Sequence, residues 1–152
     1  MTSADNELCF LPAAELAQRI RRRDLSPVEV TEAYLRRIEA RNPVINAYTL
    51  VLGDEAMDAA RVAEKEVMAG VPLGPLHGVP VGIKDLDDVA DVPTSMASRA
   101  VHNRVPQTSA AAVERLLAAD CAADRRYEGF YCASPTKVSK GTGGSANPVF
   151  IK

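Results

Sequence analysis

The sequence predicts an α/β fold, on two observations. Apolar residues recur at helical spacing through the first 69 residues, as at Leu16 and Ile20 or at Val30, Tyr34 and Ile38. After residue 70 the period changes to two, with Val79, Val81 and Ile83 alternating with Pro80, Gly82 and Lys84, the pattern of a short strand. The chain has 152 residues, the size of one ordinary domain, and its 47% hydrophobic content suffices for a core.

Taken in order, residues 12 to 23 read as a helix, with Arg21, Arg22 and Arg23 at its carbonyl end, where cations offset the macrodipole from solvent. Ser26-Pro27-Val28-Glu29 starts the next helix. It combines an N-cap serine, proline at the first helical position and glutamate three residues after the cap, which together form a capping box. Asn42-Pro43 should end that helix, because the residue before proline is pushed out of the α region. Val44 to Leu52, rich in β-branched residues, reads as a strand. A third helix runs from Gly53-Asp54 to about Met68, thin along Ala56, Ala59, Ala60 and Ala63. Gly70, Gly74, Gly78 and Gly82, interleaved with Pro72, Pro75 and Pro80, form a loop into the lysine strand, where Pro80 fits an early or edge position. Ser109 is the expected cap of a last helix, with Val113, Leu116 and Leu117 on its apolar side.

Eighteen basic against twenty acidic residues give a net charge of −2, which argues against a nucleic-acid binder with a basic face. Cys9, Cys121 and Cys132 form no CxxC pair, so neither a disulfide framework nor a zinc site is indicated, and the reading is of a cytoplasmic protein. No run approaches the roughly 18 apolar residues of a membrane span. His77 and His102 lie far apart, too little material for a metal cluster or a histidine triad, and His77 reads as a loop-fixing hydrogen-bonding group. No metal or cofactor is expected.

A lysine at the end of a strand can face a crevice, and a buried ammonium there can lose its proton and act as a base. The stretch from Gly74 to Ala100, GPLHGVPVGIKDLDDVADVPTSMASRA, resembles the amidase signature family, and weaker similarity extends over most of residues 12 to 120 and to Asn147-Pro148-Val149-Phe150. The resemblance implies the N-terminal part of that fold, a mixed sheet with helices on both faces, incomplete here. Residues 1 to 152 would be a single partial domain: a helical region at 12–69, a lysine-motif core at 70–120 and a divergent tail at 121–152. It implies hydrolysis of a small-molecule carboxamide by a serine nucleophile, a second serine beside a cis peptide bond, and Lys84 as base. Thr94, Ser95 and Ser98 fall where the family's loop approaches substrate.

The family's glycine- and serine-rich segment follows the NPVF stretch, which here ends two residues before Lys152. The chain is therefore expected to be inactive alone, with a missing C-terminal segment or a homo-oligomer as its complement. A glutamyl-tRNA amidotransferase-type subunit shares the lysine motif, and a non-catalytic interaction module is the remaining alternative. Gly141 to Ser145 precedes NPVF and reads as a plain glycine turn. Residues 121 to 139, with Asp124 to Glu128 polar throughout, read as sequence without the family's template. Asp85, Asp87 and Asp88 are expected to hold the Lys84 ammonium charged. The resembled pattern has glycine where this chain has Asp91, Ala97 and Asp120, so a left-handed backbone at those positions would cost about 1 to 2 kcal/mol each.

Overall fold

The computed structural model describes residues 7–98, 100–101, 104–121 and 149–151. Helix α1, Ala13–Arg21, buries Leu16, Ala17 and Ile20, the spacing read from the sequence. It closes with Arg23 left-handed and the Asp24 N–H on the Arg19 carbonyl at 2.8 Å. The arginines at this end do more than face solvent. Arg21 Nη2 donates to the Gly74 carbonyl at 2.9 Å, and Arg23 Nη2 donates at 3.2 Å to the Val67 carbonyl in the last turn of the third helix, which also accepts from the Gly70 N–H at 3.3 Å.

Helix α2, Pro27–Ile45, begins with the full capping box, the Ser26 side chain accepting from Val28 and Glu29 while Glu29 reaches back to the Ser26 N–H. Its end corrects the sequence reading. The helix continues through Pro43 to Ile45 and stops at Asn46, left-handed at φ 48° with its N–H on the Asn42 carbonyl at 2.7 Å. Asparagine tolerates that conformation better than most side chains. The expected strand at 44–52 is absent: Val44 and Ile45 are helical and exposed, and residues 46–52 have no regular structure. The Asn42 amide explains this locally, since its Oδ1 accepts from the Tyr48 N–H at 2.8 Å and its Nδ2 donates to the Tyr48 carbonyl at 3.0 Å. Both main-chain groups that a neighbouring strand would use are thereby taken, and β-branched residues favour a strand only where a sheet surface receives them.

Helix α3, Gly53–Ala69, packs its small residues Ala56, Ala60 and Ala63 inward and runs against α2. It ends at Gly70, with φ 70°. The loop after it lies across the helices. Gly78 is left-handed at φ 72°, and a Cβ there would stand 2.9 Å from Pro27 Cγ and 3.5 Å from Ile20 Cγ2, so the backbone touches the junction of α1 and α2. His77 is buried, its Nε2 3.1 Å from the Ala63 carbonyl and 3.6 Å from the Glu66 carboxylate. A carbonyl can only accept, so Nε2 carries the proton and ties the loop to α3.

Strand β1, Pro80–Gly82, pairs antiparallel with β2, Val149–Ile151, with Val81 opposite Phe150. These form the one sheet among the described residues. The tail expected to diverge at 121–152 is described only at Cys121 and β2; most of 121–139 and the Gly141–Ser145 turn lie outside the described residues. Helix α4, Ala111–Cys121, sets Val113 against Ile83, Val89 and Val92. The helix starts at Ala111, two residues after Ser109, whose Oγ accepts from the Ala90 N–H at 3.0 Å and so joins the start of α4 to the lysine segment. Asp120 lies within α4 and has no positive φ, so the glycine of the resembled pattern is not required there. Among the described residues, no helix is long and apolar enough to cross a membrane.

The approach of Gly78 to Pro27 yields a prediction. Gly78→Ala should cost about 2 to 5 kcal/mol, summing the left-handed penalty and the overpacking. Gly70→Ala, left-handed but with no atom within 4 Å of its new Cβ, should cost only about 1 to 2 kcal/mol. Urea unfolding of the pair measures both, and equal losses would show that the contact with Pro27 contributes nothing.

Candidate functional site

Lys84 follows β1 by two residues, in a stretch where burial alternates. Ile83 and Asp85 point inward and Lys84 points to solvent. The inward turn of Ile83 is driven by its contact with Val89, Val92 and Val113, which bury apolar area on one side of the segment and leave the other open. The ammonium is thus exposed in the described residues.

The carboxylates that follow do not act as a set. Asp85 is 2% exposed and faces away from Lys84's side chain, accepting from the Ser95 N–H at 2.7 Å and from the Ser95 hydroxyl. Asp88 is held by Arg104 in a two-pronged pair, Nη1 to Oδ1 and Nη2 to Oδ2, each at 2.5 Å. Hydrogen bonding from that guanidinium, with its charge adding to the effect, lowers the Asp88 carboxyl below its ordinary value against an opposing effect of desolvation. Asp87 is exposed, with its N–H on the Lys84 carbonyl at 2.8 Å. Of the three aspartates expected to hold the ammonium charged, Asp85 and Asp88 are hydrogen-bonded to other partners.

The segment from 85 to 110 is a loop zipped by its own main chain. Thr94 N–H donates to the Arg104 carbonyl at 2.9 Å, Asp91 N–H to Pro106 at 2.8 Å, and Ala110 N–H to Asp88 at 2.8 Å. Thr94 is buried within it and Ser98 is exposed, its N–H on the Ser95 carbonyl at 2.8 Å. Thr94, Ser95 and Ser98 are brought together by this loop, and Ser95 is attached through Asp85 to the residue next to Lys84.

Two positions where the resembled pattern carries glycine are left-handed here, Asp91 at φ 61° and Ala97 at φ 56°, joined by Met96 at φ 51°. Sequence reasoning marked Asp91, Ala97 and Asp120, of which the first two are left-handed, and did not foresee the burial of Asp85, because three aspartates in four positions give no sign of which one is buried. It also missed the pair of Asp88 and Arg104, sixteen residues apart, and gave β2 no strand. A wide groove of about 760 Å³ lies elsewhere, between α2 and α3, lined by Leu35, Arg36, Asn42 and Met57 among others. It shares no residue with the lysine loop, and its ionisable lining is Glu32, Glu39, Asp54 and Arg36. Among the described residues no cluster of His, Cys, Asp and Glu could hold a metal.

The family model described as Amidase matches residues 29–123 of the chain. The protein AmiD of Mycobacterium tuberculosis strain H37Rv, named for a presumed amidase, is 37% identical over 142 residues, covering 89% of this chain and 30% of that protein. A glutamyl-tRNA(Gln) amidotransferase subunit of Geobacter metallireducens is 42% identical over 110 residues, covering 72% of this chain and 22% of its own length. Among solved structures, a bacterial aryl acylamidase described as an amidase signature enzyme superposes with a TM-score of 0.61 at 31% identity, covering 72% of this chain and 23% of that one. The chain therefore spans less than a third of the length of these relatives.

The left-handed residues and the ion pair each predict a measurable effect. Ala97→Gly should stabilise the protein by about 0.5 to 1 kcal/mol in denaturant, and Asp91→Gly by less, because aspartate tolerates the left-handed region. The carboxyl of Asp88 is lowered in the folded state, so the pair stabilises the fold above the ordinary carboxyl value of 3.8 and loses that contribution as pH falls through the lowered folded value. Wild type should therefore exceed Arg104→Ala in stability near neutral pH and converge with it in acid, while the Asp88 carboxyl resonance of the variant titrates higher.

Proposed function

Because the chain belongs to the amidase family, we propose that its lysine loop serves the hydrolysis of a carboxamide C–N bond, with Lys84 as the base. The observation that carries the reading is the placement of Lys84: solvent-facing, two residues after β1, between the inward-facing Ile83 and Asp85. A free lysine near pKa 10.4 is nearly all protonated at neutral pH, so its use as a base requires desolvation by further groups. In this reading the Lys84 amine, neutral once covered, accepts a proton from one serine, which takes the proton of a second serine as that oxygen attacks the carbonyl carbon; the C–N bond then breaks with the proton passed to the leaving amine, and water releases the acyl group from the serine. The residues after Ser145 include no serine, so the 152 residues supply the base and not the serine pair. The partnering of β2 with β1 favours this, since it attaches Val149 and Phe150 beside the strand that leads to Lys84. Thr94, Ser95 and Ser98 would border the substrate, Ser98 by its exposure and the other two by shaping the loop. The mixed sheet of the family would form by extending the β1 and β2 pair.

A second reading has its own support. The chain is 42% identical over 110 residues to an amidotransferase subunit, against 37% over 142 residues to the mycobacterial relative. On that reading the same base releases ammonia from an amide and a partner site consumes it.

The test is a chimera. The chain should replace the matching segment of the mycobacterial relative and support release of ammonia from small carboxamides, and Lys84→Ala should then lower the rate by about 10² to 10⁴-fold, the range for a general base. Residues 1–152 alone should release ammonia at the buffer rate. Hydrolysis by the chimera that is indifferent to Lys84→Ala would overturn the assignment, as would lysine-dependent hydrolysis by the 152 residues alone.

A further inference from the structure

We propose that Asp85 is a positioning residue: its buried carboxylate latches the turn Ser95–Ala97 and thereby fixes Ser98 relative to the Lys84 backbone. The functional side of this rests on the reading of Lys84 as a base; the latch itself does not. Asp85 accepts both the Ser95 N–H and the Ser95 hydroxyl, and its main-chain carbonyl accepts the Met96 N–H at 3.0 Å. Burial of a carboxylate is costly unless its lone pairs are hydrogen-bonded, and a residue needed only to fill space would be apolar. Here the donors come from one short turn.

That turn is under strain. Met96 and Ala97 are consecutive left-handed residues, neither of them glycine, and Met96 is 39% exposed, so its own packing does little to hold it. Backbone of this kind persists only where surrounding bonds over-determine it. The bonds are present: Ser95 Oγ also accepts from the Ala97 N–H at 3.3 Å, and the Ser95 carbonyl accepts the Ser98 N–H at 2.8 Å. One continuous set of hydrogen bonds therefore runs from Asp85 through Ser95 to Ala97 and Ser98. The same inward turn of Asp85 leaves Lys84 facing outward, so one residue sets the direction of the lysine and the position of the loop.

The test uses the full 152-residue chain, with amide hydrogen exchange at Ser95 and Met96 and the rate of Lys84 acylation by an amine-reactive ester, referred to Lys65. Asp85→Asn keeps an acceptor but loses the bond from the hydroxyl, and should speed exchange at Ser95 and Met96 by about tenfold, the worth of one hydrogen bond. It should also shift the Lys84 acylation rate and leave the Val30 amide of α2 unchanged. Ala97→Gly added to Asp85→Asn relieves the strain that the latch opposes and should restore most of the protection. Asp91→Gly, which relieves a left-handed residue outside the turn, should restore none. Wild-type exchange in Asp85→Asn, loosening that includes Val30, or equal rescue by both glycines would each overturn the proposal. Should Asp85→Asn not fold, Ser95→Ala removes the hydroxyl alone, and unchanged exchange at Met96 in that variant would overturn it equally. Failure of the chimera to hydrolyse amides leaves these outcomes intact, so the two readings fail separately.

Discussion

The position of the lysine segment depends on how closely the loop at 70–79 can approach the helices. Gly78 makes that approach, with its Cα against Pro27 and Ile20, where any side chain would meet atoms at 2.9 Å. Pro27 is also the first residue of α2, placed by the Ser26 capping box, so the start of one helix and the seat of the loop are the same point. His77 then fastens the loop to Ala63 of α3 from the other side. With both fixed, Val79 enters the helical core and β1 leaves it in a defined direction.

Past β1 the dominant constraint changes from packing to hydrogen bonding. Ile83, Val89, Val92 and Val113 form a small apolar cluster under the loop, and the rest of the segment is shaped by main-chain bonds, by Asp85 and by the pair of Asp88 and Arg104. A loop built this way can hold left-handed residues that a packed strand would reject. The cost at Ala97 is backbone energy, about 1 to 2 kcal/mol, and it is met locally by the bonds around Ser95 and Asp85. A glycine there would need less support, which connects the departure from the family pattern at Ala97 to the importance of the buried carboxylate.

The helices show where local chemistry is enough and where it is not. The capping box, the alanine stripe of α3 and the face of Leu16 and Ile20 were all legible, because each is set by spacing within a few residues. The end of α2 was not. Pro43 carries a strong local signal to stop, and it was overruled by Asn42, whose side chain satisfied the backbone of Tyr48 and left no use for a strand at 44–52. Ser109 likewise has the right chemistry for a cap and is drawn to Ala90, nineteen residues away.

The sequence by itself determined the helical layer, the family and the lysine, since these rest on periodicity and on an unbroken motif; it marked Asp91, Ala97 and Asp120 by the absence of glycine where the family has it, and the structure makes the first two left-handed and the third helical. Only the tertiary structure decided which aspartate is buried, what Arg104 holds and which segment β1 pairs with. Those outcomes depend on groups 10, 16 and 69 residues apart, Asp85 with Ser95, Asp88 with Arg104, and Val81 with Phe150. A hydrogen bond or a strand pairing at such separation leaves no periodic trace in the chain; it exists only once packing has brought its two ends together.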